Sequence, residues 1–230
     1  MIEFLYYPLA QAHEAQGVAV IIDVLRAFTT AAFAFNAGAD KIYPVAAVAE
    51  AIQLSDKLPG SLIMGEVNGI KPEGFDFGNS PYDISRIDLT GKMLIQRTSA
   101  GTQGIVRVLH ADLIIPASFV VAKATADYIR LLNPPVVSFI ITGISLGRDG
   151  DEDLACAEYI EALVKNKCPD DREYIKRVTA SSVGRVFLDG RNTNFQFQDL
   201  TLSIQVDRFP YPLKVTRENG RLVMDHQFPG

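Results

Sequence analysis

Two kinds of segment alternate along the first 167 residues of this chain. Short runs rich in β-branched residues are followed by longer Ala- and Leu-rich stretches whose apolar residues recur at helical spacing. This alternation is typical of an α/β fold. The near-continuous apolar character of the short runs favours a sheet that is covered on both faces, so we predict a three-layer α/β/α arrangement with helices on each side.

The predicted elements follow from this pattern and from the turn residues between the segments. The strands are predicted at residues 18–23, 41–45, 62–66, 92–96, 112–115 and 136–142. The helices are predicted at residues 27–37, 48–58, 100–110, 120–132 and 151–166. The sixteen-residue segment 67–82 is the exception, because it holds three glycines and two prolines and is predicted to be a loop.

The pattern changes near residue 169. One helical stretch is predicted at residues 171–180, and Asn-, Gln- and Thr-rich sequence follows it. In the segment 214–224, Asn219-Gly220 lies between alternating residues, which is the strongest short-range indication of a β-hairpin. We therefore predict one unit over residues 1–230, with an α/β core at 1–168 and a C-terminal extension at 169–230 that packs on it and includes the hairpin.

Composition narrows the classes of partner and the compartment. Lys and Arg total 22 against 27 Asp and Glu, a net charge of −5, which argues against nucleic acid and anionic membranes as partners. The N-terminus has no export signal and no uncharged stretch is long enough to span a bilayer, so a cytoplasmic protein is expected. The two cysteines are typical of a reduced chain. Enzymes of this size are commonly homo-oligomers, although no segment predicts an interface.

The first candidate site residues are Asp23 and Arg26. Asp23 ends the apolar run of the first predicted strand, and open α/β sheets bind ligands at the carboxyl ends of their strands. A buried carboxylate needs a metal, an arginine or several N–H donors, and Arg26 is close enough to be that partner. A helix N-cap with a salt bridge is the structural alternative.

The second candidate is the glycine-rich loop that follows another predicted strand. Glu66 ends that strand and can point into the same crevice as Asp23. Asn68, Asn79 and Ser80 offer neutral polar groups, and the glycines allow close backbone approach. A tied surface loop with an exposed Glu66 is the alternative.

The third candidate is the turn 97–104, which begins with Arg97 and is rich in glycines and hydroxyl groups. The turn contains Thr98, Ser99, Gly101 and Thr102, and free N–H groups at such a helix start can bind phosphate, sulfonate or carboxylate. It matches neither a nucleotide P-loop nor a dinucleotide-binding fingerprint. An ordinary capped helix start is the alternative.

The fourth candidate is the turn 143–153, which contains Arg148 and several acids. Acidic residues are favourable in the first turn of a helix, but four of them within five residues exceed what capping requires. Hard oxygen ligands at a strand-to-helix turn suit Mg²⁺. We expect Glu152 and Asp153, rather than Asp149, to be its ligands.

These segments together resemble the 2-phosphosulfolactate phosphatase family. The resemblance covers most of residues 18–165 and rests on Val20 to Ala27, the loop from Gly65 to Pro81, Thr98 to Thr102, Ala117-Ser118-Phe119 and Glu152 to Ala157. It implies a Mg²⁺-dependent phosphatase that hydrolyses 2-phospho-3-sulfolactate to sulfolactate and phosphate, a step associated with coenzyme M synthesis. Ala100 stands where family members often carry Asn, so one amide side chain is missing beside the predicted anion site.

The resemblance also implies roles for the candidate residues. Glu66, Glu152 and Asp153 are expected to hold the metal or its waters, while the turn 98–104 binds an acidic head group. Arg26, Arg97 and Arg148 are expected to supply positive charge for the anionic substrate. Asp23 has two open roles, because it can attack phosphorus directly or bind Mg²⁺ and leave the attack to water.

Three other classes of protein share part of this pattern. A haloacid-dehalogenase-type phosphatase needs a second Asp two residues after Asp23, where Leu25 stands. An isochorismatase-like hydrolase needs a nucleophilic cysteine at a strand end, whereas Cys156 falls inside a predicted helix. A non-catalytic binder of small dianions needs the same anion site but no turnover, so an assay must distinguish it from an enzyme.

Overall fold

The computed structural model describes residues 1–145 and 147–226, and a nine-stranded sheet runs through the described part of the chain. The strands in chain order are β1 (Glu3–Pro8), β2 (Val18–Ile22), β3 (Lys41–Pro44), β4 (Leu62–Gly65), β5 (Met93–Arg97), β6 (Leu113–Ala117), β7 (Val136–Ile141), β8 (Lys214–Glu218) and β9 (Arg221–Asp225). The α/β class and the hairpin predicted from the sequence are both confirmed.

Helices flank this sheet. In chain order they are α1 (Ala27–Asn36), α2 (Val48–Lys57), α3 (Pro81–Ile84), α4 (Gly101–Arg107), α5 (Ala122–Leu132), α6 (Asp151–Val164), α7 (Asp171–Ala180), α8 (Ser182–Asp189) and α9 (Phe197–Ser203). The predicted helices are confirmed within a few residues. The largest differences are at α4, which ends three residues early, and at α5, which starts two residues late after a short 3₁₀ turn at Phe119–Val121.

The sheet consists of two parallel halves joined by the C-terminal hairpin. The strand order is β1-β7-β2-β6-β8-β9-β3-β5-β4. Strands β1, β7, β2 and β6 pair in parallel, as do β3, β5 and β4. The hairpin β8–β9 is antiparallel to β6 on one side and to β3 on the other, so the predicted extension contributes two central strands. Its last four residues, 227–230, lie outside the described residues.

Strand β2 shows how the core is divided between the two faces of the sheet. Its five residues are all buried, and alternate side chains point to opposite faces. Ala19 and Ile21 pack in the cluster that contains α1 and α4, whereas Val20 and Ile22 pack in the cluster that contains α5 and α6. Strand β2 therefore supports a helical layer on each face, and Asp23 leaves the sheet between them.

Several elements were not predicted. Strand β1 lies at the edge of the sheet and is only partly buried, and its short apolar run from Phe4 to Tyr7 was not recognised as a strand. Helix α8 does have a local start, because the Ser181 hydroxyl oxygen accepts a hydrogen bond from Gly184 N–H at 2.9 Å. Helix α9 has only seven residues, so its formation depends on contacts with the rest of the fold more than on the helix propensity of its residues.

Candidate functional site

Asp23 directly follows β2 and is almost fully buried, with 6% of its surface exposed. Its Oδ1 atom accepts a hydrogen bond from Ala27 N–H at 2.9 Å, which fixes the carboxylate against the start of α1. Burial raises the pKa of Asp23 to about 6. The negative charges of Glu66 and Glu152 act in the same direction, which indicates that the three carboxylates share one environment.

Two further acids enter this environment from the first turn of α6. Asp153 accepts hydrogen bonds from Val24 N–H at 2.8 Å and from Gly143 N–H at 2.7 Å, so it joins the ends of β2 and β7. Burial raises the pKa of Asp153 well above its usual value, and the charges of Glu152 and Asp23 add to this effect.

Glu152 is the acid whose hydrogen bonding is least complete. It is 2% exposed, and its Oε2 atom has no hydrogen-bond partner among the described residues. Burial raises the pKa of Glu152. Such a buried acceptor is costly unless a ligand, an ion or a proton compensates it.

Arg148 lines the same cavity as these acids and is half-buried. Its side chain donates to Ser145, from Nη2 to Oγ at 2.9 Å, and its positive charge lowers the pKa of both Asp23 and Glu152. Asp149, in the same turn, accepts a hydrogen bond from the Ser182 hydroxyl at 3.1 Å and so holds the start of α8. The turn therefore carries two residues with different roles: Arg148 lines the cavity, and Asp149 holds the start of α8.

Glu66 follows β4 and connects two loops. Its carboxylate accepts hydrogen bonds from Gly69 N–H at 2.6 Å, from Ser99 N–H at 2.5 Å and from the Ser99 hydroxyl at 3.0 Å. Asn68 donates its N–H to Ser99 Oγ at 2.9 Å. These bonds fasten the loop after β4 to the loop after β5, and both of Glu66's oxygens take part.

Helix α4 carries the second of these loops to Asp23 because two glycines permit close packing. A Cβ atom on Gly101 would lie 2.6 Å from Ala27 Cβ and 2.8 Å from Asp23 Oδ2. A Cβ atom on Gly104 would lie 2.5 Å from Ile21 Cγ2. The approach of α4 to the end of β2 therefore depends on residues without side chains.

Several predicted anion-binding side chains are used inside the scaffold. Thr98 and Thr102 bond to each other, with Thr102 N–H donating to Thr98 Oγ1 at 3.0 Å and Thr98 N–H donating to Thr102 Oγ1 at 2.8 Å. Arg97 donates to Glu66 O at 2.7 Å and to Ala46 O at 3.3 Å. The side chains of these three residues brace the turn, and they are not among the side chains found to line the cavity.

Arg26 is held by an acid that the sequence did not single out. Its Nη1 atom donates to Asp199 Oδ2 at 2.7 Å, and its guanidinium lies between the rings of Phe187 and Phe195, 5.4 and 5.3 Å from their centroids. The expectation that Arg26 serves as the ionic partner of Asp23 is wrong. Arg26 instead ties the strand end to α9.

Asp199 also accepts hydrogen bonds from Ser80 Oγ at 2.6 Å and from Tyr82 N–H at 3.1 Å. Ser80 is therefore bonded to Asp199, and it caps α3 through Asp83 N–H at 3.1 Å. Neighbouring Asn79 is buried, but its Oδ1 atom finds no hydrogen-bond partner within residues 1–145 and 147–226. Asn79 thus offers the cavity a free acceptor, whereas Ser80 does not.

One cavity of about 340 Å³ joins these groups. Its polar lining comes from residues at the ends of strands and helix starts and from the glycine-rich loop: Asp23, Arg26, Glu66, Asn68, Asn79, Ser99, Arg148, Glu152 and Asp153. Apolar side chains, among them Val183 and Val186 of α8, also line it. The structure thus brings together the four predicted acids and leaves Arg97, Thr98, Thr102 and Ser80 in supporting positions.

Cys156 does not share this site chemistry. It is fully buried inside α6, and burial raises its pKa well above the usual value, so it is not a reactive thiolate. The cysteine hydrolase considered from the sequence is therefore unsupported. Within residues 1–145 and 147–226, no group of three or more His, Cys, Asp or Glu side chains has the geometry of a preformed metal site.

Fold and site together define an α/β protein with a buried carboxylate cluster and an arginine at the strand ends. The family model for 2-phosphosulpholactate phosphatase matches residues 5–194. A probable 2-phosphosulfolactate phosphatase from Bacillus subtilis (strain 168) is 34% identical over 202 residues, covering 86% of this chain and 87% of the relative. One from Carboxydothermus hydrogenoformans is 42% identical over 166 residues, covering 71% and 67%.

This chain belongs to the 2-phosphosulfolactate phosphatase family. It is a hydrolase of phosphoric monoesters, as the resemblance in the sequence implied. None of its described helices is both long and apolar enough to cross a membrane.

Proposed function

We propose that this protein is a Mg²⁺-dependent phosphatase whose substrate is 2-phospho-3-sulfolactate or a closely related phosphorylated hydroxy acid. The observation that carries the proposal is the group of buried acids with raised pKa values that faces Arg148 in one cavity. The names of the family and of its relatives supply the substrate.

The donors in the cavity fit a magnesium ion. Mg²⁺ prefers oxygen ligands and is usually held by one or two carboxylates together with water and phosphate oxygens. In the described part of the chain, Glu152 Oε2 is buried without a hydrogen-bond partner, and the hydrogen bond from Ala27 reaches only the Oδ1 atom of Asp23. We assign the ion to Asp23 and Glu152. Bound there, Mg²⁺ would supply positive charge that stabilises the phosphate oxygens during transfer.

The remaining acids have supporting tasks in this proposal. Both oxygens of Asp153 accept N–H hydrogen bonds, so Asp153 orients the ends of β2 and β7. Both oxygens of Glu66 accept hydrogen bonds from Gly69 or Ser99, so Glu66 holds the two loops that border the phosphate. The metal-ligand role first expected for these two acids therefore becomes a positioning role.

The substrate phosphate is assigned to the space between Arg148 and the carboxylates. Arg148 stabilises negative charge on the phosphate oxygens, and Asn79 Oδ1 accepts a hydrogen bond from a hydroxyl group or a water molecule. With its pKa near 6, Asp23 is largely ionised at pH 7. We assign the attack on phosphorus to water, with Asp23 as a ligand.

The test is release of phosphate from 2-phospho-3-sulfolactate by the purified protein. Activity should vanish with EDTA and return with Mg²⁺, and Asp23→Asn and Glu152→Gln should each lower kcat by at least about a hundredfold. Glu158→Gln is the control, because Glu158 lies on the same helix but pairs with Arg177. Tight binding without turnover would instead identify a non-catalytic binder, and a phosphoenzyme trapped on Asp23 would make Asp23 the nucleophile.

A further inference from the structure

Two chemically different groups of residues line the cavity. The carboxylates and Arg148 form the polar group. The apolar group comes from the end of β2, the start of α4 and the segment 183–195, and consists of Leu25, Ala100, Val183, Val186 and Phe195. We call these five residues the apolar wall.

Helix α8 contributes two valines to the apolar wall, one from the buried core and one from the surface. Val183 and Val186 are three residues apart, so they lie on the same face of the helix. Val183 is buried in the core, whereas Val186 is 40% exposed. An apolar group that bound at Val186 would remove further apolar surface from water, which is favourable.

Phe195 gives the apolar wall a fixed position. Its ring packs edge-on against Phe187 at 5.3 Å between centroids and lies against the guanidinium of Arg26. A Cβ atom on Gly69 would stand 2.2 Å from Phe195 Cζ, so the tip of the ring rests on the glycine-rich loop. The wall is therefore formed before a ligand binds.

The charges in the cavity also favour an apolar group of the ligand at the apolar wall. Among the described residues that line the cavity, the cationic side chains are Arg26 and Arg148. Arg26 is already paired with buried Asp199, so Arg148 is left to interact with an anionic ligand. In the proposed function the phosphate binds at Arg148 and the metal, so a second strong anion placed against the apolar wall would lose water without gaining a counter-ion there.

We infer that the apolar wall binds an aliphatic substituent of the substrate, and that the protein also hydrolyses phosphate esters whose substituent is a branched hydrocarbon instead of a sulfonate. This inference rests on the phosphatase activity proposed above. In the reaction, water oxygen bonds to phosphorus as the phosphorus–oxygen bond to the alcohol breaks. The leaving oxygen takes up a proton, and the products are the hydroxy acid and inorganic phosphate.

The experiment compares three esters with the full chain and Mg²⁺: the O-phosphates of 2-hydroxypropanoate and of 2-hydroxy-4-methylpentanoate, and 2-phospho-3-sulfolactate. The first two differ only in a methyl or an isobutyl side chain. We expect kcat/KM for the isobutyl ester to be roughly tenfold higher than for the methyl ester, as is typical of an added apolar group in an apolar pocket.

Two variants of α8 test whether the wall causes this preference. Val186→Asp should reduce the isobutyl-to-methyl ratio of kcat/KM towards one, since it introduces a charge into the wall. Leu188→Asp is the matched control, because Leu188 is 49% exposed on the same helix and is not among the residues that line the cavity. It should keep the wild-type ratio.

The outcomes separate this inference from the proposed function. A ratio that is high in the wild type and in Leu188→Asp but low in Val186→Asp supports the wall. Hydrolysis of the sulfonated ester without preference for isobutyl over methyl overturns the wall and leaves the phosphatase. An equal ratio in both variants also overturns it. Hydrolysis of none of the three esters overturns both proposals.

Discussion

Removing the Asp199 carboxylate should destabilise the protein more than removing any surface acid. Asp199 is fully buried and accepts hydrogen bonds from Arg26, Ser80 and Tyr82 at 2.6 to 3.1 Å. Its loss in Asp199→Ala leaves the guanidinium of Arg26, which is 5% exposed, without a counter-ion. Breaking a buried ion pair in this way typically costs about 3 to 5 kcal/mol.

The loss of stability in Asp199→Ala can be measured by urea denaturation and by thermal unfolding. For a chain of this size, 1 kcal/mol corresponds to a shift in Tm of roughly 2 to 4 °C, so Asp199→Ala should lower Tm by about 6 to 20 °C. Asp189→Ala is the matched control, since Asp189 forms an ion pair with Arg191 in which both side chains are well exposed. Such a pair contributes about 1 kcal/mol at most.

A double variant distinguishes the unpaired charge from lost packing. Replacing both Arg26 and Asp199 by Leu removes the buried charges together, so it should be less destabilising than Asp199→Ala alone. If Asp199→Ala unfolds at the same urea concentration as Asp189→Ala, the buried ion pair does not hold this part of the fold together and the reasoning is refuted.

Three further predictions concern the acids and the glycine of the site. Glu152→Gln should raise Tm in the absence of Mg²⁺, because it removes a buried charge. Mg²⁺ should raise the Tm of the wild type and of the control Glu158→Gln, but not that of Glu152→Gln. Since the pKa of Asp23 is raised to about 6, its contribution to stability is present at low pH and is lost as pH rises through 6. Without metal, the titration of Asp23 should lower the free energy of unfolding by about 1 kcal/mol between pH 5 and 7.5, and the fall should be smaller by about this amount in Asp23→Asn. Gly101→Ala should cost about 1 to 3 kcal/mol and reduce kcat, because the added methyl group would overlap Ala27, whereas Gly78→Ala, whose Cβ would meet only Lys71 Cβ at 3.8 Å, should behave like the wild type. The first prediction is contradicted by a metal-induced rise in Tm in Glu152→Gln, and the second by an unchanged pH dependence of stability in Asp23→Asn. Full activity in Gly101→Ala would contradict the third.

Local sequence patterns predicted the parts of the fold that repeat a simple rule. The apolar run of β2 and the Ala-rich α1 are recognisable because every residue in them obeys one periodicity. The Asn-Gly pair likewise predicted the hairpin β8–β9. The pattern could not predict that this hairpin would join the two parallel halves of the sheet, because the ladder partners Ile114 and Val215 are distant in sequence.

The same distinction holds for the site. Asp23 and Glu66 could be selected because each ends an apolar strand, and Glu152 because it begins a helix rich in acids. Asp199 could not be selected, since an acid between Gln198 and Leu200 in a short helix resembles many surface residues. Its role depends on Arg26, which lies 173 residues earlier in the chain, and only the folded structure shows that the two side chains are in contact.

The position of Arg26 changes how charge is distributed in the cavity. From the sequence, Arg26 was expected to neutralise Asp23, which would have left the acids partly balanced without a metal. Because Asp199 takes up that positive charge instead, the carboxylates of Asp23 and Glu152 face the cavity with Arg148 as the nearby cation. Burial is the main cause of the raised pKa values of these acids, and neighbouring negative charges add to it. This distribution of charge also means that a bound cation would both stabilise the folded chain and prepare the site for a phosphate dianion, so metal-dependent stability and metal-dependent activity should be lost together when Glu152 is neutralised.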